Sequence, residues 1–82
     1  MIKTTVLLFA HFADAAGSGR LEMDLVDSAT VQVCSEQLIG KHPALADLLK
    51  IGRAAVNGEF AANDQVLHDG DEVAFLPPVS GG

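Results

Sequence analysis

The stretch DGDEVAFLPPVSGG, residues 69–82, constrains what the rest of the chain must form. Residues 69–71 are a turn sequence, and they lead into an apolar run at residues 73–76 that has the length and composition of a buried strand. Pro77 must interrupt that strand, because proline lacks the amide hydrogen that a sheet needs. The stretch therefore predicts a strand that ends abruptly and a short segment that continues outside the sheet.

The other end of the chain carries a second apolar strand. Residues 2–12 are rich in Thr, Val, Leu and Phe, and this continuity predicts one central strand over the whole range. Residues 13–17 have the composition of a single helical turn that Gly17 ends. Residues 21–25 then alternate between apolar and acidic side chains, which predicts a half-buried second strand.

The middle of the chain changes to helical spacing. The apolar positions that recur at this spacing are Val31, Cys34, Leu38 and Ile39. They predict the main helix, with Ser28 or Thr30 as its N-cap and Gly40 as its end. Pro43 suits the first turn of a shorter helix, whose buried leucines lie at positions 45, 48 and 49 and which Gly52 ends.

The dipeptide Asn57-Gly58 predicts a type I′ hairpin between residues 53–56 and 59–60, because both of its residues tolerate positive φ. The order is then strand, strand, helix and further strands, with the most apolar strands at the two chain ends. Such strands are expected to be neighbours at the centre of one mixed sheet with the main helix on one face. The order is that of an α+β, β-grasp (ubiquitin-like) domain over residues 1–76 with a projecting tail at 77–82, although other small α+β folds share the pattern.

Composition excludes several functional classes. A chain of 82 residues holds one domain, and its 11 acidic against 5 basic residues give a formal charge of −6 that would repel nucleic acid. The apolar stretch at residues 6–10 is far shorter than the ~20 residues of a membrane helix. Cys34 has no disulfide partner, and the N-terminus leads straight into a strand without a signal peptide. We therefore expect a cytoplasmic protein with neither nucleic acid nor membrane as a partner.

Side chains that could carry chemistry have simpler interpretations. Cys34 shares the apolar face of its helix, where cysteine behaves as a small hydrophobic residue and not as a nucleophile. His11, His42 and His68 lack partners at zinc-site spacing, so no metal site is expected. The acidic residues at 69–72 form too short a run for a calcium loop and predict a solvated turn. No catalytic site is therefore expected within the globule.

The last six residues, 77–82, combine a stiff element with a slender one. Pro77-Pro78 fixes two φ angles and holds Leu76 extended, so the chain should leave the sheet as a projection. Six extended residues reach about 20 Å, and Gly81-Gly82 has no Cβ atoms to block a narrow channel. The Gly82 carboxylate could therefore enter another protein's active site, where it would need activation, most simply by adenylation. An inert, frayed end is the alternative interpretation.

Three segments together resemble a known family: MIKTTVLLFA at residues 1–10, AAVNGEF at residues 54–60 and DGDEVAFLPPVSGG at residues 69–82. They are similar to the small subunit of molybdopterin synthase, a β-grasp sulfur carrier. The resemblance spans the chain, strongest from Ala54 onward and loose over residues 27–51. Its DGDEVAF-x-PPV-x-GG segment is much more specific than a terminal Gly-Gly alone.

The resemblance implies a carrier that binds no cofactor itself. An activating enzyme related to ubiquitin-activating proteins would use ATP to adenylate Gly82, and a sulfur donor protein would convert it to a thiocarboxylate. The tail would then enter the large synthase subunit and supply dithiolene sulfur to precursor Z, which makes molybdopterin. Two small and two large subunits would form a heterotetramer.

The resemblance also implies a partner-binding surface. The matching positions of an apolar sheet patch are Phe9, Phe60 and Leu76, and Leu76 replaces the usual phenylalanine. The implied partner-binding set also includes Phe75, Pro77, Pro78 and Val79, while Gly81 and Gly82 form the slender, reactive end. Ala13 stands where the family commonly has a basic residue, so one polar contact to the activating enzyme is missing. Core burial is the alternative role for Phe9.

Three other functions fit the same features. A related carrier for thiazole formation in thiamine synthesis also ends in Gly-Gly, although that family is usually shorter and lacks the PPV segment. A ubiquitin-like protein modifier would join the same activated carboxylate to lysines through isopeptide bonds. A simple interaction domain with an inert tail is the third.

Overall fold

The computed structural model describes residues 1–78. Its strands are β1 (Ile2–Leu8), β2 (Arg20–Leu25), β3 (Arg53–Val56), β4 (Glu59–Ala61) and β5 (Glu72–Leu76). Its helices are α1 (His11–Ala16), α2 (Val31–Lys41) and α3 (Ala46–Ile51), with a 3-10 turn at Pro43–Leu45 before α3. Within residues 1–78, none of these helices combines the length and apolar character needed to cross a bilayer.

The strands form one mixed sheet in the order β2-β1-β5-β3-β4. β1 and β5 lie next to each other and are parallel, with Val6 opposite Val73 and Leu8 opposite Phe75, while the other pairs are antiparallel. The predicted pairing of the two most apolar strands is therefore confirmed. So is the fold class, because this order with a main helix on one face is that of an α+β, β-grasp domain.

One face of the sheet packs on the helices to form the core. Alternate residues of each strand point to that face, because side chains in a strand alternate between its two sides. The strands contribute Val6, Leu8, Met23, Leu25, Val73 and Phe75, and α2 contributes Val31, Cys34 and Leu38. Thr4 is also buried, and its hydroxyl donates a 3.1 Å hydrogen bond to the Met23 carbonyl, so that polar group is satisfied.

The first strand is shorter than the sequence indicates. It ends at Leu8, and Ala10 then adopts φ 52° and ψ −126° in a turn that the Phe12 amide closes by donating to the Phe9 carbonyl at 3.0 Å. α1 begins at His11, and Phe12 is buried in the core from this helix. The predicted strand over residues 2–12 is therefore wrong beyond Leu8, because a stretch dense in apolar residues does not distinguish a buried strand from a buried helical turn.

The remaining boundaries follow their local signals closely. Thr30 and not Ser28 caps α2, since its hydroxyl accepts from the Val33 amide at 3.3 Å. The helix runs through Gly40 to Lys41, one residue beyond the predicted end. Asn57 and Gly58 have φ of 50° and 86°, which confirms the predicted hairpin between β3 and β4.

Candidate functional site

The helices leave the second face of the sheet open, and part of that face is apolar. Its apolar side chains come from four neighbouring strands and from the residue that follows β1, and they line one shallow depression, which we call the apolar groove: Leu7, Phe9, Ala55, Phe60, Ala74 and Leu76. The sheet register brings them together, because Ala55 lies opposite both Phe60 and Ala74, and Ala74 lies opposite Leu7. The groove is thus one surface built from both ends of the chain.

The aromatic side chains of the groove are unusually accessible. Phe60 is 66% exposed and Phe9 is 45% exposed, whereas Leu76 is half-buried. Contiguous exposed apolar surface of this kind marks an interaction site more often than scattered single residues do. Core burial, the alternative role for Phe9, is therefore excluded. The three positions that the sequence resemblance singled out, Phe9, Phe60 and Leu76, lie in the same depression.

The structure corrects the predicted partner-binding set at Phe75. Its side chain is 4% exposed and belongs to the core, because it follows Val73 by two positions and so points to the same helix-covered side as Val73. Leu76, one position later, points to the open face. The strand alternation therefore separates two adjacent residues that the sequence motif groups together.

Charged residues border the apolar groove. The guanidinium carbon of Arg53 lies 4.7 Å from the centroid of the Phe60 ring, a cation–π geometry, and Arg53 is opposite Leu76 in the sheet. On the side away from Leu76, Glu72 lines the same depression and lies opposite Thr5. The groove thus has a cation at its Leu76 end and a carboxylate at the other, which would orient a partner with the opposite pattern.

The chain leaves the sheet at one end of the groove. The paired register of β3 and β5 ends at Arg53 and Leu76. Pro77 has no amide hydrogen to extend it, and the amide of Gly52, the residue before Arg53, already donates to the Leu48 carbonyl at 3.0 Å. Pairing therefore stops on both strands at the same position. Leu76 both lines the apolar groove and precedes the first residue outside the sheet.

Beyond Leu76, the predicted site residues divide into two groups. Pro77 and Pro78 lie beside a second depression that is lined by α1 and α3 residues, including His11 and Ile51. The predicted site residues Val79, Gly81 and Gly82 lie outside the described part of the chain.

The turn at residues 69–71 was predicted, but the hydrogen bonds that its two aspartates accept were not. The Asp69 carboxylate accepts from the Lys3 amide at 2.8 Å, and the Asp71 carboxylate accepts from the His68 amide at 2.8 Å and from Asn57 Nδ2 at 2.9 Å. The backbone hydrogen bond from His68 holds the pKa of Asp71 below its usual value. These acids fasten the start of β5 to β1 and to the hairpin. The sequence gives one indication of these hydrogen bonds, because Asp side chains in turns often accept from backbone amides. It does not indicate Lys3 and Asn57 as partners, since both lie far away in sequence.

The cysteine of the chain lies in the hydrophobic core, and the described residues form no metal site. Cys34 is fully buried, which confirms it as a core residue, and burial raises the pKa of its thiol to about 11. At that pKa the nucleophilic thiolate is scarce at neutral pH. Across residues 1–78, no cluster of three or more His, Cys, Asp or Glu side chains is arranged to hold a metal ion.

Fold and site together define a class: a ubiquitin-like β-grasp domain whose open sheet face carries an apolar groove beside the exit of its C-terminal segment. The ThiS family model matches residues 6–82, and the chain belongs to this family. The resemblance to the small subunit of molybdopterin synthase is confirmed along the full length. The chain is 40% identical over 83 residues to the molybdopterin synthase sulfur carrier subunit of Mycobacterium tuberculosis, and the alignment covers 100% of both chains.

A second kind of relative is equally similar. The chain is 40% identical over 83 residues to the small archaeal modifier protein 1 of Haloferax volcanii, with 92% of this chain and 95% of that protein covered. A crystal structure of H. volcanii small archaeal modifier protein 1 superposes with a TM-score of 0.89 at 33% identity, covering 96% of this chain and 100% of that one. The family therefore includes proteins named as sulfur carriers and proteins named as modifiers.

Proposed function

We propose that the chain is the sulfur carrier subunit of a cytoplasmic molybdopterin synthase and that the carboxylate of Gly82 is its reacting group. The observation that carries the proposal is the position of Leu76, which lines the exposed apolar groove and is the last residue before the chain leaves the sheet. A partner that covers the groove is thereby placed next to the emerging tail. Similarity over the full length to a molybdopterin synthase sulfur carrier subunit supports the assignment.

The chemistry requires that another protein activate the carboxylate. An oxygen of the Gly82 carboxylate attacks the α-phosphorus of ATP and pyrophosphate leaves, which gives an acyl adenylate. Sulfur delivered at the sulfide level then attacks the carbonyl carbon and AMP leaves, which gives a thiocarboxylate without any change of oxidation state. The thiocarboxylate supplies dithiolene sulfur to precursor Z. The globule contributes docking and orientation, because tight positioning of the reacting group provides much of the rate enhancement in such reactions.

The proposal assigns the apolar groove to two successive partners, a ubiquitin-activating-type enzyme and the large synthase subunit. Both need the same tail, and the groove is an exposed apolar surface next to its exit, so the two partners would bind in turn and not together. After loading, two copies of the chain and two large subunits would form a heterotetramer. The sulfur donor protein would act while the carrier is bound to the activating enzyme.

The test is the mass of the C-terminal peptide after incubation with ATP, the activating enzyme and a sulfur source. We expect Gly82 to gain the mass difference between sulfur and oxygen. A variant that lacks Gly81 and Gly82 is the matched control, because it keeps the groove and the two prolines. An unchanged mass with competent partners, or molybdopterin formation by the shortened variant, would refute the proposal.

A second candidate function is protein modification, which the similarity to the H. volcanii modifier favours. The same acyl adenylate would then react with a lysine amine to form an isopeptide bond, with AMP as the leaving group. Higher-mass conjugates that disappear when Gly82 is deleted would support this function. A thiocarboxylate without conjugates would leave sulfur transfer as the function of the chain.

A further inference from the structure

Gly52 occupies a position where backbone conformation does not call for glycine. Its φ of −84° and ψ of −175° are extended values that any residue adopts. The space around it is the constraint. A Cβ atom at this position would lie 2.6 Å from the Leu76 carbonyl oxygen and 2.6 Å from Cζ of Phe12. Ordinary contacts begin at 3.4 Å, so neither atom could stay where it is.

These contacts place Gly52 at the root of the tail. It directly precedes Arg53, the first residue of β3, which pairs with Leu76 at the end of the antiparallel register. Its amide caps α3 by donating to the Leu48 carbonyl at 3.0 Å, which fixes its own position. Gly52 is therefore held by the helix while its open side lets the end of β5 approach closely.

We infer that Gly52 is a positioning residue for the C-terminal segment: its missing side chain sets the direction in which the chain leaves the sheet after Leu76. The expected effect on catalysis rests on the proposed function, whereas the effect on the direction of the chain does not. Phe12 completes the arrangement from α1, because its ring fills the other side of the same space. Helix α1, helix α3 and the end of β5 thus meet at one point that has no room for a methyl group.

The size of the effect follows from the missing space. An alanine at position 52 would need about 0.8 Å more room at the Leu76 carbonyl to reach ordinary contact distance. Over the ~3.8 Å between consecutive Cα atoms, that shift is a rotation of about 12° at the tail root. Over Pro77 and Pro78, which span about 7 Å when extended, it displaces the departing chain by about 1.5 Å. A misplacement of ~1 Å can cost a factor of ~100 in rate.

The experiment compares Gly52→Ala with Gly40→Ala. Gly40 is the matched control, because a Cβ there would have no neighbour within 4 Å. We expect Gly52→Ala to lower kcat for adenylation of the tail at least about tenfold while KM stays within about threefold, since the shift is at the Leu76 carbonyl and not at the exposed rings of Phe9 and Phe60 in the groove. Gly40→Ala should behave like the unmodified chain. Wild-type kcat in Gly52→Ala, or a rise in KM alone, would overturn the inference.

Phe12→Leu separates tail positioning from core packing. The double variant Gly52→Ala/Phe12→Leu removes the ring tip but keeps the conflict with the Leu76 carbonyl. If the tail root is what matters, kcat of the double variant stays well below that of Phe12→Leu alone. Restoration of kcat to the Phe12→Leu level would attribute the effect to the core and overturn the inference.

A readout without the enzyme distinguishes this inference from the proposed function. In Gly52→Ala, the residual dipolar coupling of the Leu76 amide should change while that of Val73, in the same strand, stays constant. Equal couplings at Leu76 in both proteins would overturn the inference even if the tail is adenylated. If no variant, including the unmodified chain, is adenylated, the proposed function fails, and the couplings still decide the role of Gly52.

Discussion

Replacing Phe60 by alanine should weaken partner binding strongly and leave the fold almost intact. Phe60 is 66% exposed and lies on β4, the edge strand, so it contributes little to the core. An aromatic side chain of about 200 Å² with two thirds of its surface exposed offers about 130 Å² for burial by a partner. At about 25 cal/mol per Å², that burial contributes about 3 kcal/mol. The exposed fraction already leaves out the ring area that Arg53 covers, and a partner that buries most of the rest gives an expected loss of about 2–3 kcal/mol.

The assay is calorimetric titration of Phe60→Ala into the activating enzyme and into the large synthase subunit. A loss of about 2–3 kcal/mol corresponds to a Kd that rises about 30- to 150-fold. Val26→Ala is the matched control, because Val26 is a comparably exposed apolar residue (58%) that follows β2, outside the groove. Thermal unfolding of both variants should stay close to that of the original chain. A Kd for Phe60→Ala within about threefold of the Val26→Ala value would refute the role of the groove.

Three further perturbations test the structure itself. Ala10→Gly should raise the free energy of unfolding by about 1 kcal/mol, because relief of a strained φ outweighs the added freedom of the unfolded chain. We expect the melting temperature to rise by about 4–8 °C, whereas the helical control Ala15→Gly should lower it. Asp71→Asn should destabilise the chain by about 1–2 kcal/mol at pH 7. Because the pKa of Asp71 is lower in the folded than in the unfolded chain, its carboxylate contributes stability above the unfolded pKa of about 3.9. That contribution is lost as the pH falls through the lower folded pKa. In urea titrations, the free energy of unfolding should therefore fall less on acidification for Asp71→Asn than for the original chain. Cys34, with a pKa raised to about 11 by burial, should resist iodoacetamide at pH 8 until the protein is unfolded, and rapid labelling of the folded chain would contradict its placement.

Sequence reasoning succeeded where a local physical rule decides the structure. Asn57-Gly58 specifies its hairpin through the φ values that these two residues tolerate, and Pro77 ends β5 through its missing amide hydrogen. The pairing of β1 with β5 was predicted from their apolar character alone. The most apolar strands are expected inside a sheet, where a neighbouring strand covers each edge, and both strands lie there. These features made the fold class and the exit of the tail predictable.

The errors arose where apolar residues are dense. Only Ala10 and His11 separate Phe9 from Phe12, yet the turn at Ala10 exposes the first and buries the second. No sequence signal marks that turn, because alanine rarely adopts positive φ. Phe75 and Leu76 pose the same problem near the other end of the chain. There the alternation from Val73 does carry the answer, since it assigns Phe75 to the core side and Leu76 to the open side.

Contacts between distant residues were beyond the reach of local patterns. The hydrogen bond from the Lys3 amide to Asp69 joins residues 66 positions apart, and the close approach of Gly52 to Leu76 depends on how α3 meets β5. Glycine is common at helix ends for conformational reasons. From the sequence, that role alone would explain Gly52, and nothing in the sequence points to a further one. Only the lack of space around it in the folded chain indicates a second constraint.

The arrangement of β5 links the stability of the domain to the presentation of its tail. At its start, the Asp71 carboxylate binds the hairpin, and Asp69 binds the first strand. At its end, the strand is released after Leu76 because neither Pro77 nor Gly52 has an amide free to extend the pairing. The parallel pairing of Leu8 with Phe75 then places Phe9 next to Leu76, so the groove exists only when the two ends of the chain are folded together. A partner that recognises the groove therefore selects folded carriers, and a chain that has lost its first strand would keep its tail but lose the surface that delivers it.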